Sequence, residues 1–165
     1  MDFSEWTPFI QNTWYRKHYM KFVYLLQIII LSIPYFFGAG FIRINLFYLI
    51  MTGIAVFVAH ECLHVLVIRK KGDMSLTFSG IFFWLSTNAV LSKTRYWLFM
   101  SLPFVVLSVV PAIISFYVSG NIKSFLLFVC WINTFISGSD IYNSFLIAIK
   151  PKNLFFCRGY YQVKQ

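Results

Sequence analysis

Four apolar stretches, each close to the ~20 residues that a helix needs to cross a hydrocarbon layer, dominate this chain of 165 residues. They fall at about 22–41, 44–68, 97–119 and 124–149. Hydrophobic residues make up 59% of the sequence and aromatics 21%, against 12% charged. That is more apolar surface than a soluble core of this size can bury. The pattern predicts an all-α membrane protein with about four transmembrane helices, in a single domain over 1–165. No hydrophilic stretch is long enough for a second, soluble domain, and the lipid bilayer is the first expected partner.

The formal net charge is +9, and its placement decides what it means. Arg16, Lys17 and Lys21 precede the first span. Arg69, Lys70, Lys71, Lys93 and Arg95 lie between the second and third, and Lys150, Lys152, Arg158 and Lys164 follow the fourth. Only Arg43 and Lys123 fall on the opposite side. Charge gathered at span ends in this way predicts cytoplasmic N- and C-termini by the positive-inside rule, and no nucleic-acid face. Residues 1–21, rich in Trp and Tyr, read as an interfacial segment, and 150–165 as a cytoplasmic tail. Cys62, Cys130 and Cys157 show no paired spacing and read as free thiols. Between the second and third spans, Met74–Ser79 alternates apolar and polar residues. A turn at Ser79-Gly80 and the β-prone run Ile81–Leu85 follow, which predicts a short interfacial β-hairpin.

Only two acids, Glu61 and Asp140, lie inside the apolar spans, where an ionisable group marks function. Glu61 is flanked by His60 and His64 in the pattern HExxH. Residues i and i+4 stand one turn apart on one helical face, so both imidazoles can hold a single Zn²⁺. Glu61 stands beside that face, where it can act on a water as the catalytic base. Cys62 is turned about 200° away from His60 and is not expected to ligate. Two histidines leave zinc short of a protein ligand, and elimination points to Asp140 in the fourth span. The alternative for Asp140 is a buried protonated or serine-bonded acid. Ser137-Gly138-Ser139 should loosen the fourth helix and let it approach the second. Asn133, seven residues before Asp140, is a candidate substrate-binding group, with helix–helix hydrogen bonding as its alternative. Asn88 is a weaker substrate-binding candidate. Pro34, Pro103 and Pro111 predict kinks and freed carbonyls.

An HExxH inside one transmembrane helix, with an aspartate next to Gly and Ser in a later one, resembles the site-2 protease family of intramembrane zinc metalloproteases. More closely, the chain resembles a compact group of bacterial membrane proteins described as zincin peptidases, with four spans and a Gly/Ser-Asp motif in the last. The likeness runs from about Phe22 to Ile149 and rests on His60, Glu61, His64 and Asp140. It implies that His60, His64 and Asp140 ligate zinc and that Glu61 is the general base. By the same resemblance the setting is a bacterial plasma membrane and the substrates are membrane-associated or transmembrane peptides. Asp140 stands here in Gly138-Ser139-Asp140-Ile141, whereas site-2 proteases usually present Asn-Pro-Asp-Gly or Leu-Asp-Gly. The expected activity is that of a zinc-dependent membrane endopeptidase. Two other readings are a non-hydrolytic zinc-binding protein, such as a sensor or immunity factor, and a small cation or proton transporter.

Overall fold

A computed structural model describes residues 4–37, 45–69, 74–79 and 82–163. Gly38–Gly40, Arg43, Lys70, Lys71, Asp73, Gly80, Ile81 and Lys164, which carry parts of the topology and turn readings, lie outside the described residues.

The chain opens on a two-residue strand, β1 (Thr7–Pro8), followed by α1 (Thr13–Phe37). α1 begins well before the onset expected at residue 22. Asn12 explains the early start: its Oδ1 accepts from the Tyr15 backbone N–H at 2.9 Å and its carbonyl from Arg16 at 2.9 Å. Residues 13–21 are therefore the first turns of the helix. α2 (Leu46–Ile68) has the same kind of start, with Asn45 Oδ1 accepting from the Phe47 N–H at 2.9 Å.

A two-stranded antiparallel hairpin follows, β2 (Met74–Ser79) with β3 (Phe82–Thr87), in a register running from Met74 opposite Thr87 to Ser79 opposite Phe82. The predicted hairpin is present. β4 (Leu91–Ser92) leads directly into α3 (Lys93–Phe104). α3 passes through a wide π turn at Val105–Val109 into α4 (Val110–Ser115), and the three form one rod from 93 to 115.

The stretch expected as a fourth continuous span is two helices, α5 (Gly120–Ile136) and α6 (Gly138–Ala148), bent by 65°. Ser137-Gly138 breaks the rod; Gly138 itself lies against α1, while Asn133 of α5 and Asp140 of α6 reach the histidines of α2, the close approach that was expected. A Cβ at Gly138 would lie 2.8 Å from Gln27 Cγ. Gln27 in turn donates from Nε2 to the Phe135 carbonyl at 3.2 Å, beside the break. A second tie joins the same helices. Pro34 has no N–H to offer the Ile30 carbonyl, and Trp131 Nε1 donates to that oxygen at 2.9 Å.

The C-terminal segment departs most from the all-helical expectation. β5 (Leu154–Cys157) and β6 (Tyr160–Val163) form a hairpin whose turn, Arg158-Gly159, has φ of 47° and 79°. Positive φ at both central residues is the geometry of a two-residue turn matched to strand twist. The hairpin pairs with both distant short strands, giving an antiparallel sheet in the order β1-β6-β5-β4. Under it pack Phe9, Ile147, Leu154 and Phe156, and beside them Val67, Ile68, Ala89, Leu91 and Phe99, all buried. Residues 150–163 are thus a folded cap and not a tail. Lys93 Nζ fastens it by donating to the carbonyls of Ala148 and Lys150 at the end of α6.

Most of the molecule is helical. Residues 13–36, 46–68 and 93–115 are each long and apolar enough to cross a membrane, and the bent α5–α6 pair would make a fourth span.

Candidate metal centre

α2 buries one stripe, Val56, His60, His64, Val67 and Ile68, whose spacing follows the helical repeat. The two histidines are 2% and 5% exposed, while Glu61 is half-buried at the edge of the stripe and Cys62 faces outward. The geometry expected of HExxH on a helix is present.

Asp140 meets this face from the first turn of α6, where the helix dipole favours a negative charge. Its Oδ2 lies 3.0 Å from His60 Nε2 and 3.1 Å from His64 Nε2, and the two Nε2 atoms are 3.1 Å apart. Three donor atoms thus form a nearly equilateral triangle.

The other face of each ring fixes what that triangle is. His64 Nδ1 lies 2.8 Å from the Phe99 carbonyl, which can only accept, so Nδ1 carries the proton. Pro103 makes this carbonyl available, because the residue four positions on has no N–H to fill it. His60 Nδ1 lies 3.0 Å from Asn133 Oδ1. The orientation of that amide is set in turn by Nδ2, which donates to the Pro103 carbonyl at 3.1 Å and to Ser108 Oγ at 2.8 Å, with Ser137 Oγ at 3.3 Å. Both imidazoles are therefore Nδ1–H tautomers. Two Nε2 lone pairs and a carboxylate oxygen point at one place, with no proton of their own between them in the neutral rings. Such a cluster calls for a cation.

A zinc ion fits the donor set. Tetrahedral zinc with bonds of about 2.0–2.1 Å separates its ligand atoms by about 3.3 Å, close to the 3.0–3.1 Å seen here. Backing each ligating imidazole with an acceptor on its second nitrogen is also the usual build of a metal site. His60, His64 and Asp140 can hold the ion between them.

The two candidate substrate-binding asparagines stand in different surroundings. Asn133 is 0% exposed and committed to His60, Pro103, Ser108 and Ser137, so the helix–helix alternative describes it. It and Asp140 stand in different helices on either side of the bend, not on one helical face. Asn88 is exposed, and its backbone carbonyl accepts from the Cys157 thiol at 3.7 Å. None of the three cysteines is in a disulfide. Phe99, Ser108 and Ser137 are site residues that the sequence reading did not pick out. Pro103, four residues after Phe99, was the available signal for the first. The i+4 spacing of Asn133 and Ser137 was the signal for the last.

Mostly helical, with a buried His₂Asp cluster built on an HExxH helix, the protein is of metallopeptidase type. Residues 53–155 match the model of the family described as "Putative zincin peptidase", and the chain belongs to that family. The family implies a zinc peptidase. No curated protein and no solved structure matches the chain.

Proposed function

We propose that this chain is a membrane-embedded zinc metalloprotease of the site-2 protease type, acting on membrane-associated or transmembrane peptides. The observation that carries the reading is the convergence of His60 Nε2, His64 Nε2 and Asp140 Oδ2, with both rings locked in the tautomer a metal requires. The apolar, outward-facing surfaces of α1 and α2 support the membrane setting, with Ile28, Leu46 and Phe47 each more than 60% exposed. Both termini face the cytoplasm, by the charge asymmetry of the sequence, and the family likeness favours a bacterial plasma membrane.

When bound, zinc supplies Lewis-acid activation of a water and polarisation of the peptide carbonyl. His60, His64 and Asp140 would hold it, and Asn133 and the Phe99 carbonyl keep the rings in place. Glu61, next to His60 at the half-buried edge, takes a proton from the attacking water and returns it to the leaving amine. The surrounding apolar helices keep other water away, which strengthens each of these charge interactions.

The test is metal content of the detergent-purified protein. About one zinc per wild-type chain is expected, absent in His64→Ala and weakened in Asp140→Ala. Folded wild-type protein without zinc above background would overturn the reading.

A further inference from the structure

A cavity of about 290 Å³ lies at the junction of the helices and the sheet cap. It is lined by Pro8, Phe9 and Ile10 of the N-terminal strap, by Arg16 and Tyr19 of α1, and by Tyr96 of α3. Asn143 of α6 and Gly159 and Tyr160 of the β5–β6 hairpin complete the lining. Two of its walls come directly from the site. Asn143 is three residues beyond Asp140, and Tyr96 is three residues before Phe99, whose carbonyl holds His64.

The chemistry of the lining is one-sided. No acid lines the cavity, and among the described residues no carboxylate pairs with Arg16. Tyr19 donates to Asn143 Oδ1 at 2.9 Å, which leaves the amide hydrogens on Nδ2 for an acceptor. A guanidinium fork beside amide hydrogens is the arrangement that recognises a carboxylate. The apolar faces of Phe9, Ile10, Tyr96 and Tyr160 suit a side chain attached to it. At about 290 Å³ the cavity sits at the lower end of small-ligand pockets, enough for a terminal residue and too small for a folded segment.

We propose that this cavity receives the free C-terminal residue of a peptide substrate, with its α-carboxylate on Arg16 and Asn143. The inference rests on the peptidase reading above and names its substrate class. Such a peptide would run from the cavity toward the metal centre, where Asp140 stands three residues before Asn143 on α6. Hydrolysis there adds a water oxygen to the carbonyl carbon, breaks the C–N bond and leaves the departing amine with a proton. The substrate class is then a peptide with a free C-terminus.

The test compares one apolar pentapeptide as its free acid and as its C-terminal amide. Binding is measured by calorimetry to the zinc-loaded, full-length Glu61→Gln protein in detergent, with and without Arg16→Ala or Arg16→Lys. The free acid is expected to bind at least ten-fold tighter than the amide, with the preference reduced by Arg16→Lys and abolished by Arg16→Ala. Equal binding of acid and amide overturns the proposal, as does a preference that survives Arg16→Ala. Arg16-dependent binding of short-chain phosphatidylglycerol that the peptide acid does not displace also overturns it, in favour of a lipid headgroup. If the acid preference holds while zinc-loaded wild type cleaves neither peptide, the cavity assignment stands and the peptidase reading falls.

Discussion

The sheet cap and the helical shaft follow opposite rules of burial. In the cap, large apolar side chains are inside: Phe156, Leu91 and Ile147 are 1% exposed or less. In the shaft a polar cluster of His60, Asn133, Ser108, Ser137 and Asp140 is buried beside Val23, Ile30, Val56 and Phe128, while many Ile, Leu and Phe side chains line the outer faces of α1 and α2. The cap is held by apolar area removed from water. The shaft is held by buried hydrogen bonds and by close backbone approach. The metal centre sits where the two meet, with His64 anchored on Phe99, itself part of the cap's core.

That contrast can be broken from either side. The largest effect belongs to Glu61→Gln, which leaves the polar interior intact and removes the proposed base. A loss of about 10²- to 10⁴-fold in peptide cleavage is expected, with zinc content unchanged. Paired metal analysis and turnover assays check it, and cleavage near the wild-type rate would remove Glu61 from the chemistry. Next comes Phe156→Ala in the cap, where a large core side chain is lost for about 3–5 kcal/mol. Thermal unfolding in detergent should show a much lower midpoint, and an unchanged one would mean that the cap contributes little to stability.

Asn133→Ala tests the shaft's way of holding together. With the ring anchor gone and the Pro103 carbonyl left without its partner, zinc affinity should fall about 10- to 100-fold. Chelator competition measures this directly, and unaltered affinity would show that His60 needs no outside support. The smallest effect is expected from Gly138→Ala. Its Cβ would meet Gln27 Cγ at 2.8 Å and disturb the bond from Gln27 to Phe135. A cost of about 1–3 kcal/mol follows, read as a modest drop in unfolding temperature, and a rise would mean that α1 yields freely at the bend.

How much of this was legible in the sequence also divides along the same line. The histidine pair was readable because i, i+4 spacing is a local property of one helix. Asp140 was readable because acids in apolar sequence are so few that elimination works. The hairpin at 74–87 showed its alternation and its turn. The four-stranded cap did not, since its strands are two to four residues long and come from three distant places in the chain. Strands that short carry too little period to be recognised, and their pairing is fixed by tertiary contact. The bend at Ser137 was half visible: Ser-Gly-Ser promised looseness, while its partner, Gln27 of α1, left no local trace. Asn133 stood out as a polar group in apolar sequence, but its contacts to His60, Pro103, Ser108 and Ser137 needed the distances around it.

The two histidine anchors differ in how they can be lost. A single change of codon at Asn133 deletes the group that holds His60. No change of side chain at Phe99 can delete the oxygen that holds His64, because every amino acid carries it. What exposes that oxygen is Pro103, so the heritable information for His64's anchor resides four positions away from the atom that does the anchoring. Position 99 is therefore free to drift among residues that fill the same core space, while position 103 is not.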